Sequence, residues 1–136
     1  MNDLADILLT LTVRLRKAGV SAFIPLGLSW REAVFLLYIE RGYVRPTDLA
    51  KEVGALLPTI SGLGAKFAAS GLIEKVARQS NAREVTYVLT EKGRDMCQQL
   101  RRAWEESLPV EAAELTKFES DRWLRLLLEV PKPMGE

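Results

Sequence analysis

The sequence predicts a mainly α-helical protein carrying one small β-hairpin, and three observations predict it. Pro46 to Thr90 (PTDLAKEVGALLPTISGLGAKFAASGLIEKVARQSNAREVTYVLT) holds two short helical patterns that meet at a tight turn near Gly54. Two alternating, β-branched segments follow directly, separated by a polar turn. Longer helical patterns with wide apolar faces flank this stretch on both sides. Helix, turn, helix and then a basic hairpin is the layout of a groove-reading element in a DNA-binding domain.

Composition sets the outer bounds. The chain has 136 residues, 48% hydrophobic and 27% charged, as in an ordinary globular protein of one domain. The most apolar stretches, Ile7 to Leu11 and Leu124 to Leu128, are far too short to span a membrane. Asp3 and Asp6 stand where a secretory leader would be basic, so a cytoplasmic location is expected. The single cysteine cannot form an internal disulfide, in keeping with that expectation. A net charge of +1 hides an uneven distribution. Residues 45–102 hold ten Lys/Arg against six Asp/Glu, whereas residues 103–136 hold four against eight. A basic centre with an acidic distal end suits a module that turns one side to phosphate, although so small an excess is also what an ordinary mixed surface produces.

Asn2 or Asp3 can cap a first helix that runs to about Lys17 and stops at Ala18-Gly19. Leu4, Leu8, Leu11 and Leu15 form one stripe on it, widened by Ile7, Leu9 and Val13. So broad an apolar surface on a terminal helix points to a dimer interface, with burial inside one chain as the competing reading. Ser21 to Leu28 is an apolar connector that should tuck against the body. Ser29 and Glu32 then form a capping box for a helix ending near Gly42, with Ala33, Leu36, Leu37 and Ile39 on its buried side. Tyr43-Val44-Arg45 fits one short strand, and Pro46 suits the first position of the next helix. Leu49, Ala50 and Val53 line that helix's inner face.

In the second helix of the pair, Leu56, Ile60, Leu63 and Phe67 recur at three- and four-residue spacing and should pack inward. The opposite face is centred on Pro58, Gly62, Ala65 and Ala69, flanked by Thr59, Ser61 and Lys66. Leu72 to Arg78 and Glu84 to Leu89 read as the hairpin strands, joined by a loop over residues 79–83, with Lys75, Arg78 and Arg83 as its cations. Thr90 should cap a helix from Glu91 to about Ser107, carrying an apolar stripe of Met96, Cys97, Leu100 and Trp104. Cys97 in that stripe reads as a buried structural thiol rather than a redox sensor. A second capping box at Thr116–Glu119 opens a last helix with Phe118, Trp123, Leu124, Leu127 and Leu128, again apolar enough for an interface.

Taken together, LSWREAVFLLYI, PTDLAKEVG, ASGLIEK and NAREVTYVLTEKG make the chain resemble the MarR family of winged-helix transcription regulators over nearly its whole length. The resemblance implies a winged helix-turn-helix over residues 29–90. An N-terminal dimerisation helix and connector (1–28) and C-terminal dimerisation helices (91–136) would flank it. It also implies a homodimer on double-stranded DNA, the second helix in the major groove and the wing against the adjacent minor groove. The family's wing tip usually carries Asp, one intervening residue and Arg; here Asn81, Ala82 and Arg83 stand there. Arg83 carries over as a minor-groove or phosphate contact. Asn81 can orient it by a hydrogen bond but supplies no charge. Control by a small aromatic or anionic effector follows from the family analogy alone.

One departure stands out. No Arg, Asn or Gln occurs between Gly54 and Ala77, so the outward face lacks the side chains that commonly bond base edges. Reading would fall to Ser and Thr hydroxyls, alanine contacts with thymine methyls, or DNA shape. Dimer contacts are expected from Leu4, Leu8, Leu11, Leu15, Leu100, Trp104, Phe118, Leu124, Leu127 and Leu128. With no histidine, one cysteine and no phosphate-binding glycine loop, neither an enzyme nor a cofactor or metal site is expected. The leading expectation is a dimeric repressor on a palindromic operator. The alternative is a winged-helix protein-interaction module with weak or no sequence-specific DNA binding.

Overall fold

Asp3 accepts the amide of Asp6 at 2.9 Å and starts the first helix, α1 (Leu4–Phe23). A computed structural model describes residues 3–78 and 81–108 of the chain, with backbone alone at residues 78 and 81–83. The helix does not stop at Gly19. That residue is buried, and a side chain on it would collide with the Trp30 ring, so its glycine serves close packing rather than termination. Phe23 closes α1 fully buried, and a short 3-10 turn (Ile24–Leu26) leads through Gly27 at φ 82° to the buried Leu28. Ile24, expected to tuck inward with this connector, is 65% exposed.

Ser29 and Glu32 exchange both capping-box bonds, at 2.9 and 3.2 Å, and open α2 (Trp30–Glu40). This is the central helix. Ala33, Phe35, Leu36 and Ile39 are all buried on it. Residues 43–45 do not form a strand: among the described residues the sheet has two strands, and the segment's one backbone bond to it runs from the Tyr87 amide to the Val44 carbonyl at 2.8 Å. A three-residue segment is too short to hold a ladder of its own once Pro46, which lacks an amide, begins α3 (Pro46–Val53). Gly54, at φ 68°, ends α3 and turns the chain into α4 (Leu57–Ala69).

Strands β1 (Ile73–Arg78) and β2 (Asn81–Leu89) pair antiparallel from Ile73 opposite Leu89 to Ala77 opposite Val85. The register then shifts, so that Arg78 faces Asn81. The backbone of residues 81–83 therefore belongs to β2 and not to the loop, because an irregularity beyond Ala77 absorbs the extra residues. Thr90 caps α5 (Glu91–Ser107) by accepting the Gly93 amide at 3.0 Å, while its hydroxyl donates to the Gly71 carbonyl at 2.6 Å.

One core joins these elements. Phe35 stacks on Phe67 and tilts against Tyr87, with centroids 5.7 Å apart in both pairs, which locks α2, α4 and β2 together. A second aromatic group, Phe23, Trp30 and Trp104, joins α1, α2 and α5. Cys97 is fully buried beside the Leu36 carbonyl. Burial, with the nearby Glu40 carboxylate adding to it against Arg101, pushes its thiol up to about 12. No single helix among the described residues is long and apolar enough to cross a membrane.

Candidate nucleic-acid interface

The face of α4 turned away from the core is the one the spacing predicts. Ile60 and Phe67 are buried and Leu63 half-buried, whereas Pro58, Ser61, Gly62, Ala65, Lys66 and Ala69 are exposed and Thr59 is half-exposed. Leu56 breaks the pattern. It caps α4 in an extended conformation and is 76% exposed, so it does not pack inward with Ile60 as the three- and four-residue rhythm suggests. A helical count fails at a residue that lies outside the helix.

Lys66 does not simply project outward. Its ammonium pairs with the Glu32 carboxylate, whose other oxygen accepts the Ser29 amide in the capping box. Burial raises the Glu32 carboxyl, but the bonds from Lys66 and Ser29 outweigh it and hold the group below its usual range. The ion pair ties α4 to the start of α2. Below α4, Tyr87 and Val85 of β2 and Lys75 of β1 face a cleft of about 400 Å³, completed by Arg45, Pro46, Thr47, Leu57, Ser61 and Glu84. Arg45 is oriented there by Asp48 at 2.8 Å. The place of Arg45 in the cleft wall is not legible in the sequence, where the residue reads as part of a strand rather than as the lip of α3.

The backbone of Arg78, Asn81 and Arg83 runs in the hairpin beyond Lys75, and their side chains lie outside the described residues. So do Phe118, Leu124, Leu127 and Leu128 and the capping box at Thr116. Of the expected interface residues on α1, Leu4 and Leu11 are 56% and 43% exposed, and Leu8 and Leu15 are half-buried. Ile7, Leu9 and Val13 are exposed beside them. Leu100 departs from expectation: it is fully buried within the chain's own core and offers nothing to a partner. Trp104 is half-buried and tied to its own chain, its indole N–H donating to the Leu15 carbonyl at 3.0 Å and its ring set edge-on to Trp30. The stripe on α5 faces α1 because Gly19 lets Trp30 settle between the two helices. Among the described residues no group of His, Cys, Asp or Glu could hold a metal ion.

A helix-turn-helix backed by a two-stranded wing, with one helix face presented outward, defines the winged helix-turn-helix class. The fold is that of the MarR-family transcription regulators. A mutant MarR from E. coli superposes with a TM-score of 0.75 at 18% identity, covering 94% of this chain and 98% of that one. A MarR-family protein of Mycobacterium tuberculosis in complex with salicylic acid gives 0.71 at 21% identity, covering 93% and 97%. A MepR mutant of S. aureus bound to an oligodeoxyribonucleotide gives 0.62 at 14%, covering 96% and 100%. No family model and no curated protein matches the chain by sequence.

Proposed function

We propose that this protein is a cytoplasmic, homodimeric transcription regulator that represses by occupying a palindromic operator in double-stranded DNA. The observation that carries the reading is the exposed outer face of α4 beside a hairpin that carries Lys75, Arg78 and Arg83, on a fold shared with a MepR mutant bound to an oligodeoxyribonucleotide. α4 lies in the major groove, with Pro58, Thr59, Ser61 and Gly62 near base edges and Lys66 at its flank. Lys75, Arg78 and Arg83 meet the backbone and the neighbouring minor groove, and Asn81 orients Arg83. The protomers join through the exposed leucines of α1 together with the C-terminal segment, which sets two copies of α4 about one helical turn of DNA apart.

A small aromatic or anionic effector acts on the same machinery. The cleft between α3, α4 and the hairpin supports this part of the reading, since it sets Lys75 and the Asp48-paired Arg45 beside the Tyr87 ring and Glu84, and a neighbour of the same fold was solved with salicylic acid. A gel-shift series across salt, preceded by selection from random sequence, tests the proposal. A selected palindrome bound steeply salt-dependently agrees with it. Absence of duplex binding at low salt rejects it and leaves the protein-interaction module, which the bare outer face of α4 favours.

A further inference from the structure

Resting on the DNA-binding reading, we infer that the protein reads thymine through apolar contact, with Leu56 and Leu57 meeting the 5-methyl groups of that base in the major groove. Leu56 and Leu57 are 76% and 43% exposed, and the exposed Pro58 follows them, so three consecutive apolar residues form the leading tip of α4. In helix-turn-helix proteins the N-terminal residues of the recognition helix are the ones that reach base edges. The extended backbone at Leu56, φ −75° and ψ 147°, takes it out of the helical spiral and away from the core that receives Ile60.

The rest of the helix carries no Arg, Asn or Gln for bidentate base contacts. Its one cation, Lys66, is held by Glu32, and behind the tip the outer face continues as Ser61, Gly62 and Ala65. A Cβ at Gly62 would meet nothing within 4 Å, so this surface is low as well as uncharged. Thymine is the base that presents a methyl group in the major groove, and apolar contact with that methyl is the base contact open to a leucine side chain, which has no hydrogen-bonding group. The patch is continuous with the cleft lined by Lys75, Glu84 and the Asp48-paired Arg45, since Leu57 and Ser61 line both. The hairpin cations of the proposed interface hold a duplex at this tip through its phosphates, and the leucines sort its bases.

The test compares binding of the full chain to an alternating adenine–thymine duplex and to the same duplex carrying deoxyuridine, which lacks only the methyl group. Burying one methyl contributes about fourfold in affinity, so the thymine duplex should bind tighter by about fourfold for each methyl engaged. The double variant Leu56→Ala, Leu57→Ala, which alters only exposed side chains, should bind both duplexes equally. Equal binding by the wild type would overturn the inference while leaving DNA binding intact. So would a preference for thymine that survives in the double variant, since it would then come from duplex shape. Failure to bind either duplex at low salt would remove the DNA-binding reading itself and this inference with it.

Discussion

The phenol of Tyr87 occupies the space into which a side chain on Gly64 would project, so α4 and the second strand of the wing touch at a point with no room for another carbon. Gly64 lies on the buried side of α4, and burial pushes the Tyr87 hydroxyl above its ordinary range. The contact fixes the angle between the helix proposed for the major groove and the hairpin proposed for the minor groove.

Gly64→Ala should therefore destabilise the fold and weaken DNA binding together. Overpacking costs about 1–3 kcal/mol, of which the better helix propensity of alanine recovers at most about 1. Thermal melting and duplex titration of the variant check both effects. A variant as stable as the wild type would show that the contact can relax at no cost.

Gly62→Ala should act in the opposite sense on stability. Its neighbours in sequence type have structural reasons to be glycine: Gly19, Gly64 and Gly93 face atoms that leave no room for a Cβ, and Gly27, Gly42, Gly54 and Gly71 adopt positive φ. Gly62 has neither reason. Alanine there should stabilise by about 1 kcal/mol, or about 4 °C in melting temperature. Because the added methyl stands on the outer face, duplex affinity should fall while stability rises.

The Cys97 thiol should resist alkylation in the native protein. Held near 12 by burial, it stays protonated at neutral and mildly alkaline pH, so iodoacetamide should label it quickly only after unfolding. The folded value lies above the ordinary one of 9.0. The thiol's contribution to stability is thus complete below pH 9 and declines as pH rises through that value toward 12. Rapid labelling of folded protein at neutral pH would contradict the burial.

Glu32 has the opposite linkage. Its carboxyl is depressed in the fold by Lys66 and Ser29, which more than offset its burial, so its charge stabilises above the usual carboxylate range and that contribution is lost as pH falls through it. Glu32→Gln should melt lower than wild type at neutral pH, with the gap closing in acid. The loss should be modest, since the Lys66 side chain is 60% exposed and such pairs contribute about 1 kcal/mol or less. Melting curves of both proteins across acidic pH check the sign.

Much of this architecture is legible in the residues themselves. Ser29 with Glu32, Pro46, Gly54 and Thr90 mark helix ends through local hydrogen bonds and backbone limits, and each behaves as its chemistry requires. The outer face of α4 follows from spacing alone. What spacing does not carry is contact between distant elements. Gly19 looks like a helix stop until Trp30 is placed over it, Leu100 looks available to a partner until α5 is packed, and Leu56 fits the helical rhythm while lying outside the helix. The pairing of Lys66 with Glu32, thirty-four residues apart, is likewise a product of the fold.

Duplex affinity measured across salt, for the wild type and for Arg83→Ala on a selected sequence, tests the DNA-binding account most directly. Binding should fall steeply with salt, and the slope in the variant should be smaller by about one for each protomer that loses its phosphate contact. A purified dimer that binds no duplex at low salt, or binds one with no dependence on salt, would contradict it.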